Sequence, residues 1–248
     1  MSIVQLMANA GHSGLSLPTD QLALHLDATD TASYSGSGTT WTDLSGNSYD
    51  FTLSNASAFV AASGGTPAHM NFESQVARRV VSSTLTDVPN ATNGTIVIFS
   101  SIFNSTAGYR TLMRGASADH HIIIQVGNNN LGMYDNNGGN FQDSGFDVNT
   151  IPNYTTDFNM LAWKFSQSSP YYEFFYNTNT SSASATITSA NATFNNGFAS
   201  VGGYHSLSTT GTGSQHWGKI MTFMYYQKHL SSNELDQIYG YYKDTAGL

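Results

Sequence analysis

Leu22-Ala23-Leu24-His25-Leu26-Asp27-Ala28, followed by Trp41-Thr42-Asp43-Leu44-Ser45-Gly46-Asn47, is the stretch from which the fold reads outward. Leu22, Leu24 and Leu26 alternate with Ala23, His25 and Asp27, which is the period of a half-buried β-strand. Leu44–Asn47 reads as a turn, flanked by strand signals at Thr39–Trp41 and Tyr49–Leu53. A counterpart lies near the other end, where Gly218-Lys219-Ile220-Met221-Thr222-Phe223-Met224-Tyr225-Tyr226 reads as a final strand. Leu230-Ser231-Ser232-Asn233-Glu234-Leu235 follows it. Ser231 with Glu234 three residues on has the form of a capping box. Leu235, Ile238, Tyr239 and Tyr242 then recur at helical spacing, so one C-terminal helix is predicted to face the sheet.

Between these ends, strand signals recur at the spacing of a sandwich. Thr95–Phe103 is a long apolar run suited to a central strand. Tyr109–Arg114 and His121–Val126 come next, then a turn at Gly127–Asn130 and a strand at Leu131–Tyr134. Phe158–Phe165 and Tyr171–Tyr176 predict a hairpin across Gln167–Pro170, and Ala199–Tyr204 is a further strand. No internal repeat, heptad or linker divides the chain.

The two end segments resemble the opening and closing of a concanavalin A-like, laminin-G-like jelly-roll domain of the virus or phage type. In that family an early strand reads L-x-L-x-L-D-A and leads to W-x-D-L-S-G-N, and a late strand ends in Y-x-x-x-L-S-x-x-E-[IL]. The resemblance brackets nearly the whole chain. It implies an all-β fold, a jelly-roll β-sandwich of two antiparallel sheets with a short C-terminal helix, over residues 18–248. It also implies that the Leu22–Leu26 strand lies near Gly218–Tyr226. Domains of this family are common adhesion and decoration modules, and they often hold one calcium ion at a sandwich rim. A fold of this kind names no ligand by itself.

Composition agrees with the architecture. The chain has 248 residues, 40% of them apolar and only 10% charged, against about 25% charged in ordinary soluble domains. Its surface must rely on Ser, Thr, Asn and Gly, whose short side chains favour turns over helices. The net charge is −8, with eight Lys and Arg in all and none before Arg78. Nucleic acid is therefore not an expected partner, since phosphate binding draws on basic groups. The N-terminal sequence lacks the basic region and unbroken apolar stretch of a secretory signal. No run approaches the ~18 apolar residues of a membrane span. There is no cysteine, hence no disulfide and no thiol chemistry. A protein made in a host cytoplasm and carried on a virion fits these points together.

Catalytic patterns are missing. Glycoside hydrolysis uses two carboxyl groups roughly 5–9 Å apart, and enzymes of this fold commonly carry them as Glu-x-Asp-x-x-Glu. Glu73, Glu173 and Glu234 are the only glutamates, and each stands alone. His120 and His121 adjoin on a strand and so point to opposite faces. A zinc site would need one of them with His205 or His216; a polar strand end accounts for them as well. No G-x-S-x-G elbow or phosphate loop occurs. The chain is expected not to be an enzyme. Calcium is the metal that the resemblance favours, with Asp119, Asp135 and Asp143 as candidate ligands in or beside rim loops together with Asn136 and Asn137. The same residues also serve plain turn chemistry.

Two further features bear on function. Tyr171-Tyr172 and Tyr225-Tyr226 place neighbouring rings on opposite sheet faces, so one of each pair is expected to be exposed. Exposed Tyr suits sugar stacking and protein interfaces equally. Residues 1–17 read as an N-terminal arm in which Ile3, Val4, Leu6 and Met7 supply apolar surface for a neighbouring subunit; an ordinary frayed terminus is the other reading. The leading expectation is a non-catalytic virion structural protein, a capsid decoration or tail component, forming homo-oligomers and contacting capsid or tail subunits. The alternative is a lectin-like module that binds a cell-surface glycan for host attachment. A glycoside hydrolase is the third.

Overall fold

The computed structural model describes residues 15–53, 58–73, 79–80, 93–102, 109–115, 120–125, 127–135, 140–166, 168, 172–177, 186–187, 198–203 and 217–248. In chain order the strands are β1 (Leu22–Asp27), β2 (Thr40–Trp41), β3 (Phe51–Leu53), β4 (Phe59–Val60), β5 (His69–Asn71), β6 (Arg79–Val80), β7 (Asn93–Ile102) and β8 (Tyr109–Gly115). They continue with β9 (His120–Gln125), β10 (Asn130–Asp135), β11 (Asn140–Asp147), β12 (Asn159–Ser166), β13 (Tyr172–Tyr176), β14 (Thr186–Ile187), β15 (Phe198–Val201) and β16 (Gly218–Tyr226). Helix α1 (Ser232–Ala246) closes the chain.

The strands form an antiparallel β-sandwich. An eight-stranded sheet runs β14-β13-β12-β7-β16-β5-β4, with β1 also on β16. A five-stranded sheet runs β11-β10-β9-β8-β15, and β2-β3-β6 form a small third sheet. The expected pairing of the chain's first and last strands is present, from Leu22 opposite Tyr226 to Asp27 opposite Thr222. The expected hairpin is also present as β12 against β13. One edge of β16 is shared, since β5 pairs with Lys219–Ile220 and β1 with the rest. Its other edge pairs with β7 along nearly its whole length.

Both faces of the eight-stranded sheet are covered. Ile96, Ile98, Trp163, Phe165, Phe223 and Tyr225 belong to a core shared with Ile124, Leu131 and Phe146 of the other sheet. Val97, Phe99, Met160, Met224 and Tyr226 pack instead with Leu235, Ile238 and Tyr242 of α1. Two-sided burial explains why β7 and β16 read as near-continuous apolar runs rather than clean alternations. It also corrects the expectation for Tyr225-Tyr226, because both rings are buried. Tyr225 stacks on Phe165 with centroids 5.9 Å apart. Tyr226 donates its hydroxyl to the Pro18 carbonyl at 3.0 Å. Tyr172 also faces the core, and Tyr171 lies outside the described residues.

Helix α1 starts as predicted. The Ser231 side chain accepts from the Glu234 N–H while the Glu234 carboxylate accepts from the Ser231 N–H, a complete capping box. Gly247 ends the helix in the left-handed region at φ 79°, where glycine carries no Cβ penalty. A polar latch fixes the helix to β1. Tyr242 donates its hydroxyl to Asp27 Oδ2 at 2.7 Å and lies 2.9 Å from His25 Nε2. His25 and Asp27, the polar face of the alternating strand, are therefore buried under α1 rather than turned to water. Leu17 also packs on this helix cluster, and the Gln237 side chain donates to the Ser16 carbonyl. Residues 15–17 of the expected arm thus lie on their own domain. Ile3, Val4, Leu6 and Met7 fall outside the described residues.

The Trp41–Asn47 segment seals the free edge of β1. Asp43 is buried, and its Oδ1 accepts from the backbone N–H groups of His25 and Ser45, both at 2.9 Å. Its Oδ2 accepts from the Tyr49 N–H at 3.1 Å and the Ser45 hydroxyl at 2.7 Å. Leu44 N–H donates to the His25 carbonyl, and the Asn47 amide reaches the carbonyls of Leu22 and Ala23. Trp41 anchors the segment in the core. Replacing Asp43 by Ala would leave three backbone donors without their acceptor. The His25 donor is buried, where an orphaned group costs about 1–3 kcal/mol, and those of Ser45 and Tyr49 are partly buried and cost less, so chemical denaturation should show a loss of roughly 2–4 kcal/mol.

Burial also sets a pH dependence. It holds the His25 imidazole below its ordinary value, against the opposing pull of Asp27, Asp43 and Asp30. It lowers His69 likewise, against the hydrogen bond to the Pro67 carbonyl. In the unfolded chain both rings titrate at their ordinary value near 6.5. As pH falls below that value, the unfolded chain binds protons that the folded chain refuses, so stability drops. The melting temperature should therefore fall between about pH 7.5 and pH 5.5, above the range where carboxylates titrate. The slope should shrink in a His25→Gln variant, whatever that variant's absolute stability.

Candidate functional site

With one sheet enclosed on both sides, the outer face of the five-stranded sheet is the broad strand surface that no described helix covers. Its inner face is set by Ile124, Leu131 and Phe146, and the Phe146 ring meets Phe174 of β13 at 4.7 Å. Arg110 is also on this inner side, opposite Ile124. It donates from Nη2 to Asn129 Oδ1 at 2.7 Å and hydrogen-bonds Tyr154. Burial lowers its pKa from the ordinary value. The buried guanidinium thereby fixes the β9–β10 turn, in which Asn129 sits at φ 58°.

Alternation places Tyr109, Asn130, Gly132, Tyr134, Phe141 and Asp143 on the opposite, outer face. Cross-strand pairing agrees, with Gly132 opposite Asp143 and Tyr134 opposite Phe141. Tyr109, Tyr134 and Phe141 are each half-buried. Ring centroids lie 6.0 Å apart for Tyr109–Tyr134 and 5.9 Å for Tyr109–Phe141, both tilted. The three rings converge over the row that contains Thr111, which is fully buried, and Gly132. Gly132 is required there. A Cβ on it would meet the Gln142 carbonyl and come within 2.6 Å of the Phe141 ring. The missing side chain is the space into which Phe141 lies down.

Polar groups frame the rings on one side. Between Leu131 and Gly132 the β10–β11 register jumps, and Ser144 and Gly145 form a bulge. Gly145 adopts φ 76°, and its N–H donates to Asp143 Oδ1 at 2.7 Å. Asp143 Oδ2 accepts from the side-chain amides of Asn130 at 2.9 Å and Asn128 at 3.2 Å. The result is an exposed carboxylate held in a fixed orientation beside three aromatic rings. Two inserted residues preserve the alternation, so Phe141 and Asp143 stay on the outer face while Phe146 stays inside.

Asp143, expected in or beside a rim loop as a candidate calcium ligand, lies within β11 next to its bulge. Asp135 ends β10 opposite Asn140, and Asp119 lies outside the described residues. Among the described residues no group of three or more His, Asp or Glu could hold a metal ion. Two of the three glutamates make ion pairs. Glu73 lies 3.7 Å from Lys219, Glu173 pairs across from Lys164, and Glu234 serves the helix cap and Lys228. The half-buried rings of Tyr109, Tyr134 and Phe141 were not singled out from sequence. Strand β11 was itself missed, because Asn140–Asp147 reads as turn chemistry until its pairing with β10 is known.

No family model matches this sequence, and no curated protein matches it. Its likeness is to solved structures. A Trypanosoma rangeli sialidase in complex with 2,3-difluorosialic acid aligns over 95% of this chain and 35% of its own, at 12% identity and TM-score 0.54. The binding domain of Paraclostridial Mosquitocidal Protein 1 aligns over 89% of this chain and 52% of its own, at 14% identity and TM-score 0.54. This chain thus spans about a third of the sialidase and about half of the toxin structure. At these identities the likeness establishes the β-sandwich. Among the described residues, no helix is long and apolar enough to cross a membrane.

The ring arrangement makes Gly132 testable. Gly132→Ala should destabilise the domain by about 1–3 kcal/mol, the usual cost of forcing extra volume into a packed site. It should also displace Phe141, detectable as altered near-ultraviolet circular dichroism. An unchanged melt and spectrum would mean that Phe141 does not rest on Gly132.

Proposed function

We propose that this chain is a glycan-binding module that holds sugars on the outer face of its five-stranded sheet. The observation that carries the reading is the half-buried trio Tyr109, Tyr134 and Phe141 beside the oriented Asp143 carboxylate. A pyranose has an apolar face of C–H groups and a rim of hydroxyls. Partly exposed aromatic rings offer matching apolar area, and their negative π faces favour C–H contacts. A carboxylate that already accepts three hydrogen bonds keeps capacity for one more from a sugar hydroxyl. Because backbone pairing, the bulge and the amides of Asn128 and Asn130 hold these groups in place, little ordering cost falls on binding.

The structural neighbours support the same reading, since they include a sialidase solved with a sialic acid derivative and a domain described as the binding domain of a toxin. The proposal is non-catalytic, because the three glutamates stand alone in the sequence and Glu73 and Glu234 pair with Lys219 and Lys228. A role as a virion structural component, with capsid or tail subunits or further copies as partners, draws support from composition and from the resemblance of the chain's end segments. The fold and its neighbours favour sugar binding.

The reading is tested by screening the purified protein on a glycan array and then measuring the hits by calorimetry. Tyr134→Ala and Phe141→Ala should each weaken binding tenfold or more, about 1.4 kcal/mol, with little change in melting temperature. Undiminished affinity in both variants would remove the outer face from consideration.

A further inference from the structure

A second concave surface lies between the β4–β5 hairpin and the last turn of α1, on the helix-covered side of the sandwich and away from the aromatic platform. It is an open cleft of about 450 Å³, within the range of about 300–1,000 Å³ usual for small-molecule sites. Thr29, Ser63, Thr66, Pro67 and Thr245 are among the residues that line it. One carboxylate fixes two of its walls. Asp27 Oδ1 accepts from the Thr29 N–H at 2.8 Å and from the Thr29 hydroxyl at 2.7 Å. Asp27 Oδ2 accepts from the Tyr242 hydroxyl at 2.7 Å, about one helical turn before Thr245. The hairpin wall is equally constrained. Ser63 and Thr66 exchange backbone hydrogen bonds at 3.0 and 2.9 Å around Gly64 and Gly65. The φ values of these glycines, 58° and 84°, suit a tight hairpin turn. The buried His69 then donates from Nδ1 to the Pro67 carbonyl at 2.8 Å.

We infer that this cleft is a second binding site, for a neutral mono- or disaccharide, and that it works independently of the aromatic platform. Thr29 gives its hydroxyl proton to Asp27, so toward the cleft its oxygen can only accept. The hydroxyls of Ser63, Thr66 and Thr245 have no partner among the described residues, and each can donate or accept. Ala62, Pro67 and Ala68 add apolar area to the same lining. A sugar presents the complement of this surface, with hydroxyls that both donate and accept and C–H faces that pack on apolar groups. Gly64 and Gly65 leave bare backbone at the rim, since a Cβ on either would meet nothing within 4 Å. Asp27 and the bridged hairpin hold the walls before any ligand arrives, so little ordering cost falls on binding.

The test is a titration of the isotope-labelled full chain, followed by amide chemical shifts, with glucose, galactose, mannose, N-acetylglucosamine and their disaccharides. At least one of these sugars should give saturable shifts at Ala62–Ala68 and Thr245. Ser63→Ala combined with Thr66→Val removes two hydroxyls from exposed positions and should weaken that binding tenfold or more, with an unchanged melt. Ala62→Trp, also at an exposed position, fills the cleft and should abolish it. Cleft shifts that saturate at the same sugar concentration in Ala62→Trp as in the parent chain would overturn the inference. Saturable shifts confined to Tyr109, Tyr134 and Phe141 would overturn it too while leaving the platform standing. Cleft shifts without platform shifts would uphold it and count against the platform. No saturable shift in the cleft with any sugar of the panel would overturn it, whatever the platform binds.

Discussion

The carboxylate of Asp43 is the interaction on which the rest of the architecture depends. Strand β1 pairs with β16 on one side only, and its other edge would expose a row of backbone donors and acceptors. The Trp41–Asn47 loop covers that edge instead of another strand, and Asp43 bridges β1 and the loop with four accepted hydrogen bonds. With β1 held, β16 is fixed between β7 on one side and β1 and β5 on the other. Two segments about two hundred residues apart in sequence are thereby made the centre of one sheet.

Fixing β1 also positions the helix. His25 and Asp27 point toward α1, and Tyr242 meets both through its hydroxyl. Inside a low-dielectric interface such a satisfied network favours one docking geometry, because any shift would strand a polar group away from water. Apolar packing by Leu235 and Ile238 supplies the driving force, and the polar latch supplies register. The eight-stranded sheet is then closed on both faces, so its paired tyrosines are core residues.

Closure of one sheet leaves the other sheet's outer face without a covering helix among the described residues. There, a glycine floor, a bulge and a buried arginine together hold three rings and a carboxylate in position. None of these devices is a ligand contact in itself. Each removes freedom from a group that the proposed reading makes one, so that the patch is preorganised on paired strands.

Much of this was legible in the sequence. The alternation of Leu22–Asp27, the apolar runs at β7 and β16, and the Ser231–Glu234 cap determine strands and helix through local geometry, which the chain carries in its own residue order. The same local rules failed for Tyr225-Tyr226 and for His25 and Asp27, because whether a strand's second face meets water depends on what packs there, and α1 lies distant in sequence from β1. They failed again at Asn140–Asp147, where Asn, Asp, Ser and Gly favour turns until β10 supplies a partner. The platform of Tyr109, Tyr134 and Phe141 belongs wholly to the tertiary structure. Its rings come from strands up to 32 residues apart, and only the register of β8 to β11, with the bulge and the glycine beneath Phe141, brings them together.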